Sequence, residues 1–153
     1  MRLAIFQPDI APNVGALIRI AACFGLPLDV IGPTGFPAST KSLRRAALDY
    51  GACADVAYHP SWDVFRAAHP TRLILATTSA TCAPWEIAFG DDDVLLFGSE
   101  TAGVPDTIHR AADIRARIPM PGGGRSLNVA VSAGIFLGEV TRQRAVEPVS
   151  PRP

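Results

Sequence analysis

The sequence lacks an excess of charge of either sign, and it lacks a long apolar run. Its 14 Lys and Arg residues balance 14 Asp and Glu residues, so the formal net charge is zero. Bulk charge therefore does not indicate a nucleic-acid partner, and any basic surface must be local. The apolar run at the N-terminus, MRLAIFQPD, is too short for a signal peptide, and no run approaches membrane-spanning length. We therefore expect a cytoplasmic protein with no membrane partner.

Cysteine is scarce and shows no regular spacing. The three cysteines are Cys23, Cys53 and Cys82. An odd number of widely separated cysteines predicts reduced, mostly buried thiols rather than disulfides. The three histidines are scattered along the chain: His59, His69 and His109. Because none of them pairs with a cysteine at a metal-ligand spacing, we expect no zinc site and no metal cofactor.

Several familiar catalytic and nucleotide-binding signatures are also absent. The chain has no G-x-x-x-x-G-K-[ST] segment, which excludes a P-loop. No G-x-G-x-x-G follows the first predicted strand, so an ordinary Rossmann dinucleotide site is unsupported. There is no G-x-S-x-G nucleophile elbow and no evident catalytic triad.

Short apolar segments alternate with helical patterns, which is typical of an α/β domain with a mainly parallel sheet flanked by helices. Strands are predicted over residues 3–6, 28–31, 56–58, 72–77, 94–97 and 114–120. Helices are predicted from a cap at Asn13 to a stop at Gly25, and over residues 41–50, 61–68, 105–111 and 126–142, with one helical turn within 84–89. We expect one domain over residues 1–145 and a disordered, Pro-rich tail over 146–153.

Three polar, glycine-bearing segments follow predicted strands, where parallel α/β sheets bind their ligands. They are residues 77–79, 98–103 and 121–126. In the last segment three successive glycines remove the Cβ atoms that would hold a ligand away from the backbone. Alone, that segment is equally consistent with a tight strand-to-helix connection capped by Ser126. The convergence of all three segments favours a ligand site.

A few charged side chains could carry chemistry, and each has a structural alternative. Arg19 lies within an apolar helical run and is either an anion clamp or a paired structural arginine. Glu100 directly follows a strand-end Gly-Ser and is either an acid/base or a support that accepts backbone N–H groups. Arg44 and Arg45 either grip phosphates or form an ordinary solvated surface.

The last predicted helix carries small residues at a four-residue spacing, at Ala130, Gly134 and Gly138. They share one helix face, which would let another backbone come close. Glycine inside a helix costs roughly 1 kcal/mol relative to alanine, so two of them indicate a packing reason. The approaching backbone could belong to the same chain or to a second copy in a dimer.

Three segments together resemble the motifs of a known family. They are N-x-G-x-x-x-R at residues 13–19, L-L-F-G-S-E-T-A-G-V-P at 95–105, and R-I-P-M-P…R-S-L-N-V-A-V at 117–131. In this order and spacing they resemble the motifs of the SpoU-type SPOUT RNA 2′-O-methyltransferases. Residues 41–50, K-S-L-R-R-A-A-L-D-Y, resemble a segment of the short TrmL group, which methylates the ribose of the tRNA wobble nucleotide.

The resemblance implies an α/β knot, in which the C-terminal segment threads a loop and makes a trefoil knot that forms the S-adenosylmethionine pocket. It also implies a homodimer with its sites near the interface. Carried over by motif, the residues that bind the methyl donor are Ala76, Thr77, Gly98, Glu100, Gly103, Ile118, Met120 and Ser126.

The resemblance implies 2′-O-methylation of the tRNA ribose at position 34, on cytidine or uridine, with S-adenosylhomocysteine as product. The catalytic set it implies is Arg19, Asn13, Glu100 and Asn128. Arginine is not a plausible free base, so Arg19 would hold an RNA phosphate or the 2′-hydroxyl. Arg44 and Arg45 are the candidates for contacting the anticodon loop. The alternatives are methylation of another tRNA or rRNA ribose, or a non-catalytic RNA-binding role.

Overall fold

The protein is described by a computed structural model that covers residues 1–37 and 54–145. The predicted helix over residues 41–50, with Arg44 and Arg45, lies outside the described residues, as do Cys53 and the tail 146–153. None of the described helices is both long and apolar enough to cross a membrane.

A parallel sheet of six strands organises the described part of the chain. The strands are β1 (Arg2–Phe6), β2 (Leu28–Ile31), β3 (Val56–His59), β4 (Leu73–Ala76), β5 (Val94–Phe97) and β6 (Ile114–Ala116). Their order in the sheet is β3-β2-β1-β5-β4-β6, and every pairing between them is parallel. The predicted α/β class with a mainly parallel sheet is therefore confirmed.

Helices cover both faces of this sheet. They are α1 (Ala11–Phe24), α2 (Trp62–Ala68), α3 (Asp106–Ala111) and α4 (Val129–Arg144), with a 3₁₀ turn over Pro84–Glu86. One buried cluster joins α1 and α4 to the sheet face that carries Leu3, Leu28 and Leu95. A second cluster joins α2 and α3 to the opposite face through Phe65 and Ile108. The central strands read as continuous apolar runs because both of their faces are covered.

The predicted helix ends are partly right. Gly25 ends α1 in the left-handed conformation at φ 64°, where the absence of a Cβ removes the steric cost. Ser61 caps α2 by accepting the Val64 N–H, also as predicted. The prediction of Asn13 as the cap of α1 is wrong, because α1 begins at Ala11 and Pro12 occupies its first turn. The first turn tolerates proline, since its N–H would have no helical partner there.

The elements around the third motif also differ from the prediction. β6 ends at Ala116 rather than Met120, because its partner β4 ends at Ala76, which pairs with Ala116. The helix α4 begins at Val129 rather than Ser126. Asn128 caps it by accepting the backbone N–H groups of Ala130 at 2.9 Å and Val131 at 3.3 Å.

Candidate functional site

A cavity of about 900 Å³ lies at the carboxyl ends of β4, β5 and β6. Its lining includes residues from all three segments that the sequence singles out: 77–79, 98–103 and 121–126. The predicted donor-binding residues Ala76, Thr77, Gly98, Glu100, Gly103, Ile118, Met120 and Ser126 all line it. The structure thus brings these eight residues together around one space.

The loop after β5 is folded back tightly on itself. Ser99 donates its N–H to the Gly103 carbonyl at 3.0 Å, and Gly103 returns an N–H to the Ser99 carbonyl at 2.9 Å. This pairing brings the Gly98 backbone against Gly103, so a Cβ on Gly98 would lie 2.6 Å from the Gly103 carbonyl carbon. Gly103 itself has φ +67°, a conformation that favours glycine. Both glycines are therefore required by the loop's shape.

A chain of hydrogen bonds connects the three motifs. The Glu100 carboxylate accepts the Asp9 N–H at 2.8 Å with one oxygen and the Asn13 side-chain N–H at 2.9 Å with the other. Asn13 in turn accepts a hydrogen bond from the Asn128 side chain at 2.9 Å. Because Asn128 also caps α4, the starts of α1 and α4 are held to the loop after β5. Three of the four predicted catalytic residues therefore form one network.

Asp9 belongs to this network, although the sequence reasoning did not single it out. Its carboxylate accepts hydrogen bonds from the hydroxyls of Ser99 at 2.7 Å and Thr101 at 2.5 Å. These bonds, the one from Thr101 first, hold the pKa of Asp9 below its usual value. Asp9 lies between the first two motifs in space but in neither of them in sequence, so motif reasoning could not find it.

The segment over residues 117–128 brings polar and apolar side chains to the cavity, whereas its three glycines, Gly122 to Gly124, are not among the lining residues. A Cβ on Gly122 or Gly123 would meet nothing within 4 Å. Ile118 and Met120 give the cavity apolar surface, and Ser126 gives it a hydroxyl. Two arginines that the prediction left out, Arg117 and Arg125, also line the cavity and bring positive charge to it.

Arg19 is the one predicted catalytic residue that does not line the cavity. It lies on α1, exposed to solvent, six residues after Asn13. Six helical residues correspond to about 9 Å along the axis. Within one chain, the structure therefore does not bring Arg19 into this space.

The cysteines and histidines are placed differently from the expectation. Cys23 and Cys82 are free thiols, but Cys23 is exposed, so the prediction of buried thiols is wrong there. His109 lines the cavity. His59 and His69, by contrast, meet at the buried Asp29. The fold therefore brings together two histidines that are ten residues apart in the sequence.

Comparison with protein families and curated proteins gives a consistent result. The SpoU rRNA Methylase family matches residues 1–138. A tRNA (cytidine(34)-2'-O)-methyltransferase of Ancylobacter novellus is 45% identical over 146 residues, covering 94% of this chain and 92% of that protein. The protein of the same name from Escherichia coli is 38% identical over 146 residues, covering 94% and 93%.

Solved structures give the same result at the level of the fold. A structure reported for the 2-OH methylation of C/U34 on tRNA matches with a TM-score of 0.92 at 37% identity, covering 95% of this chain and 97% of that one. The SpoU methyltransferase AviRb from Streptomyces viridochromogenes, in complex with AdoMet, matches with a TM-score of 0.82 at 29% identity. That match covers 97% of this chain and 59% of AviRb.

Gly98→Ala tests the tight loop. The added Cβ would overlap the Gly103 backbone, so we expect a loss of about 1–3 kcal/mol in the free energy of unfolding, measured by urea denaturation. Gly122→Ala is the matched control, because its Cβ would enter open space and should leave stability nearly unchanged. Equal stability of the two variants would contradict the close approach of Gly98 and Gly103.

Proposed function

This chain belongs to the SpoU rRNA Methylase family, and we propose that it transfers a methyl group to the ribose 2′-oxygen of nucleotide 34 in tRNA, on cytidine or uridine. The observation that carries the proposal is the cavity at the strand ends, which is lined by residues from all three motifs. The chain also spans more than nine-tenths of relatives that bear this activity in their names.

The cavity suits S-adenosylmethionine as the methyl donor. Gly98 and Gly103 present backbone without side chains, while Ile118 and Met120 offer apolar surface for a purine ring. We propose that the eight donor-site residues named above hold this molecule, with S-adenosylhomocysteine as the product. When bound, the donor supplies an electrophilic methyl group on a positively charged sulfur.

Glu100, Asn13 and Asn128 act in this proposal by positioning. Both carboxylate oxygens of Glu100 already accept hydrogen bonds, which favours support of its neighbours over general acid/base chemistry. The network fixes the start of α1, the helix that carries Arg19. Arg19 would hold an RNA phosphate or the 2′-hydroxyl while the 2′-oxygen attacks the methyl carbon, the bond from that carbon to the donor sulfur breaks, and the hydroxyl proton passes to solvent water.

A homodimer would explain the outer surface of α1 and α4. These helices pack on each other, yet they expose large apolar side chains to solvent: Phe24 at 42%, Val131 at 52% and Ile135 at 39%. Gly134 lies on the same stretch of α4, and a Cβ there would meet nothing within 4 Å. We propose that a second copy covers this surface, and that Arg19 meets its substrate at the interface.

The backbone around β6 supports the proposed trefoil knot. The Ala116 carbonyl accepts the Thr77 N–H, which places β4 on one side of β6. The next N–H, from Arg117, points to the opposite side and donates to the Cys82 carbonyl. The chain at 116–117 is thus flanked by residues 76–77 and by Cys82, and it passes between two parts of one loop. Beyond that loop it continues into the cavity wall and α4.

The substrate is tested by mass spectrometry of tRNA from cells with and without the gene. We expect deletion to remove the ribose methyl group at position 34, and the cloned gene to restore it. Loss of a methyl group at a different tRNA or rRNA ribose would redirect the proposal to that site. Calorimetric titration with S-adenosylmethionine is the companion measurement, and a protein that binds none would contradict methyl transfer altogether.

Arg19→Ala tests the role of that arginine. Turnover on tRNA should fall by roughly 100-fold or more, because charge stabilisation in the reacting complex is lost. Affinity for S-adenosylmethionine should change only a few-fold, since Arg19 does not line the cavity. Arg66→Ala, on the opposite face of the sheet, is the control and should keep near-normal turnover. A large loss of donor binding in Arg19→Ala would refute the assigned role.

Ile135→Asp tests the proposed dimer surface. A carboxylate buried at the centre of an apolar interface carries a large desolvation cost, so the variant should sediment as a monomer at concentrations where the unmodified chain is a dimer. Val64→Asp places the same charge on an exposed residue of α2 and should not change the sedimentation. A monomeric unmodified chain, or a dimeric Ile135→Asp, would exclude this surface as the interface.

A further inference from the structure

A second polar cluster lies away from the cavity, on the sheet face covered by α2. It consists of Asp29 on β2, His59 at the end of β3, His69 directly after α2, and Arg2 at the start of β1. The Asp29 side chain is fully buried, while those of His59 and His69 are only 11% and 21% exposed. The methyl-transfer proposal uses none of these residues.

Both histidines point at the same oxygen of Asp29. His59 Nε2 lies 2.6 Å from Asp29 Oδ1, and His69 Nε2 lies 3.5 Å from it. All three atoms lie within 4.8 Å of one another, so they surround a single point. A tetrahedral zinc ion with bonds of about 2.0–2.1 Å holds its ligand atoms about 3.3 Å apart. The distance from His69 to Asp29 already suits such an ion, whereas His59 Nε2, now at hydrogen-bond distance from Oδ1, would move outward by about 0.7 Å on binding.

The surroundings hold these ligands in place. The Phe65 ring, itself fully buried, contacts the rings of His59 and His69 at centroid distances of 5.2 Å and 5.3 Å. Arg2 donates to both carboxylate oxygens: its Nε to Asp29 Oδ2 at 2.6 Å, and its Nη2 to Oδ1, the oxygen that faces the histidines, at 3.3 Å. Outer hydrogen bonds of this kind orient a carboxylate ligand. The positive charge of Arg2 also weakens the attraction of a cation, so we expect affinity below that of carboxylate-rich zinc sites.

From this geometry we propose that Asp29, His59 and His69 form a site for a divalent transition-metal ion of the zinc type. Two imidazole nitrogens with one carboxylate oxygen suit zinc or cobalt rather than magnesium or calcium, which prefer all-oxygen ligands. A water molecule would complete the coordination on the partly exposed side next to His69. The ion would connect β2, the edge strand β3 and the end of α2. The proposal departs from the expectation, based on spacing in the sequence, that the chain holds no metal.

The test is zinc titration of the full chain, freed of any affinity tag and of prior metal by a chelator. We expect one zinc ion per chain by calorimetry, and a higher melting temperature with zinc than without. His59→Ala and His69→Ala should each weaken zinc binding by about tenfold or more and abolish the shift in melting temperature. Cobalt added in place of zinc should give visible absorption bands that His69→Ala removes.

The controls separate this site from other zinc ligands and from misfolding. His109→Ala should bind zinc as the unmodified chain does, and so should the double variant Cys23→Ser, Cys82→Ser. His69→Gln is the milder variant, which should keep the metal-free melting temperature and its affinity for S-adenosylmethionine while losing zinc. Absence of zinc binding in the unmodified chain would overturn the proposal. So would binding that survives His69→Ala or disappears with the cysteines.

Discussion

The carboxylate of Glu100 is the group on which the arrangement around the cavity depends. With one oxygen it holds the turn after β1 through Asp9, and with the other it holds Asn13 on α1. Asn13 in turn accepts a hydrogen bond from Asn128, the cap of the last helix. Segments separated by up to 115 positions in sequence are thereby fixed around one space. Each bond is modest alone, about 1 kcal/mol, but the geometry of the site requires all of them together.

The sequence predicts the sheet well because its strands are short apolar runs bounded by glycine, proline or charged residues. Since the central strands are buried on both faces, their residues are almost all apolar, and the runs are easy to recognise. It predicts the helix ends less well, because a side chain that could cap a helix can instead form a hydrogen bond elsewhere in the fold. The Asn13 side chain could cap a helix, but it donates to Glu100 instead. Asn128 rather than Ser126 caps α4, because that helix begins at Val129. The eight residues proposed for the donor site are identified through the resemblance to a family. Asp9 lies outside the three motifs, and only the fold brings it to the loop after β5. Arg117 and Arg125 lie within the third motif and line the cavity.

The histidine cluster illustrates a limit of spacing rules. Metal ligands within one loop or helix leave a regular interval in the sequence, whereas those on separate elements do not. The parallel register that places Asp29 beside Ala57 also leaves His59 two residues further along the edge strand. His69, directly after α2, then lies beside the same oxygen of Asp29. The intervals of thirty and ten residues carry no recognisable signal, so only three-dimensional packing reveals the cluster.

The position of β6 has a consequence for how the chain must assemble. Residues 116–117 have one neighbour at 76–77 and the other at Cys82, and these belong to the same loop. In the proposed knot this segment is threaded through that loop, so the last third of the chain would enter lengthwise while the loop is still open. On that proposal the topology sets the order of events in folding, and the cavity wall made by the last third of the chain is completed last.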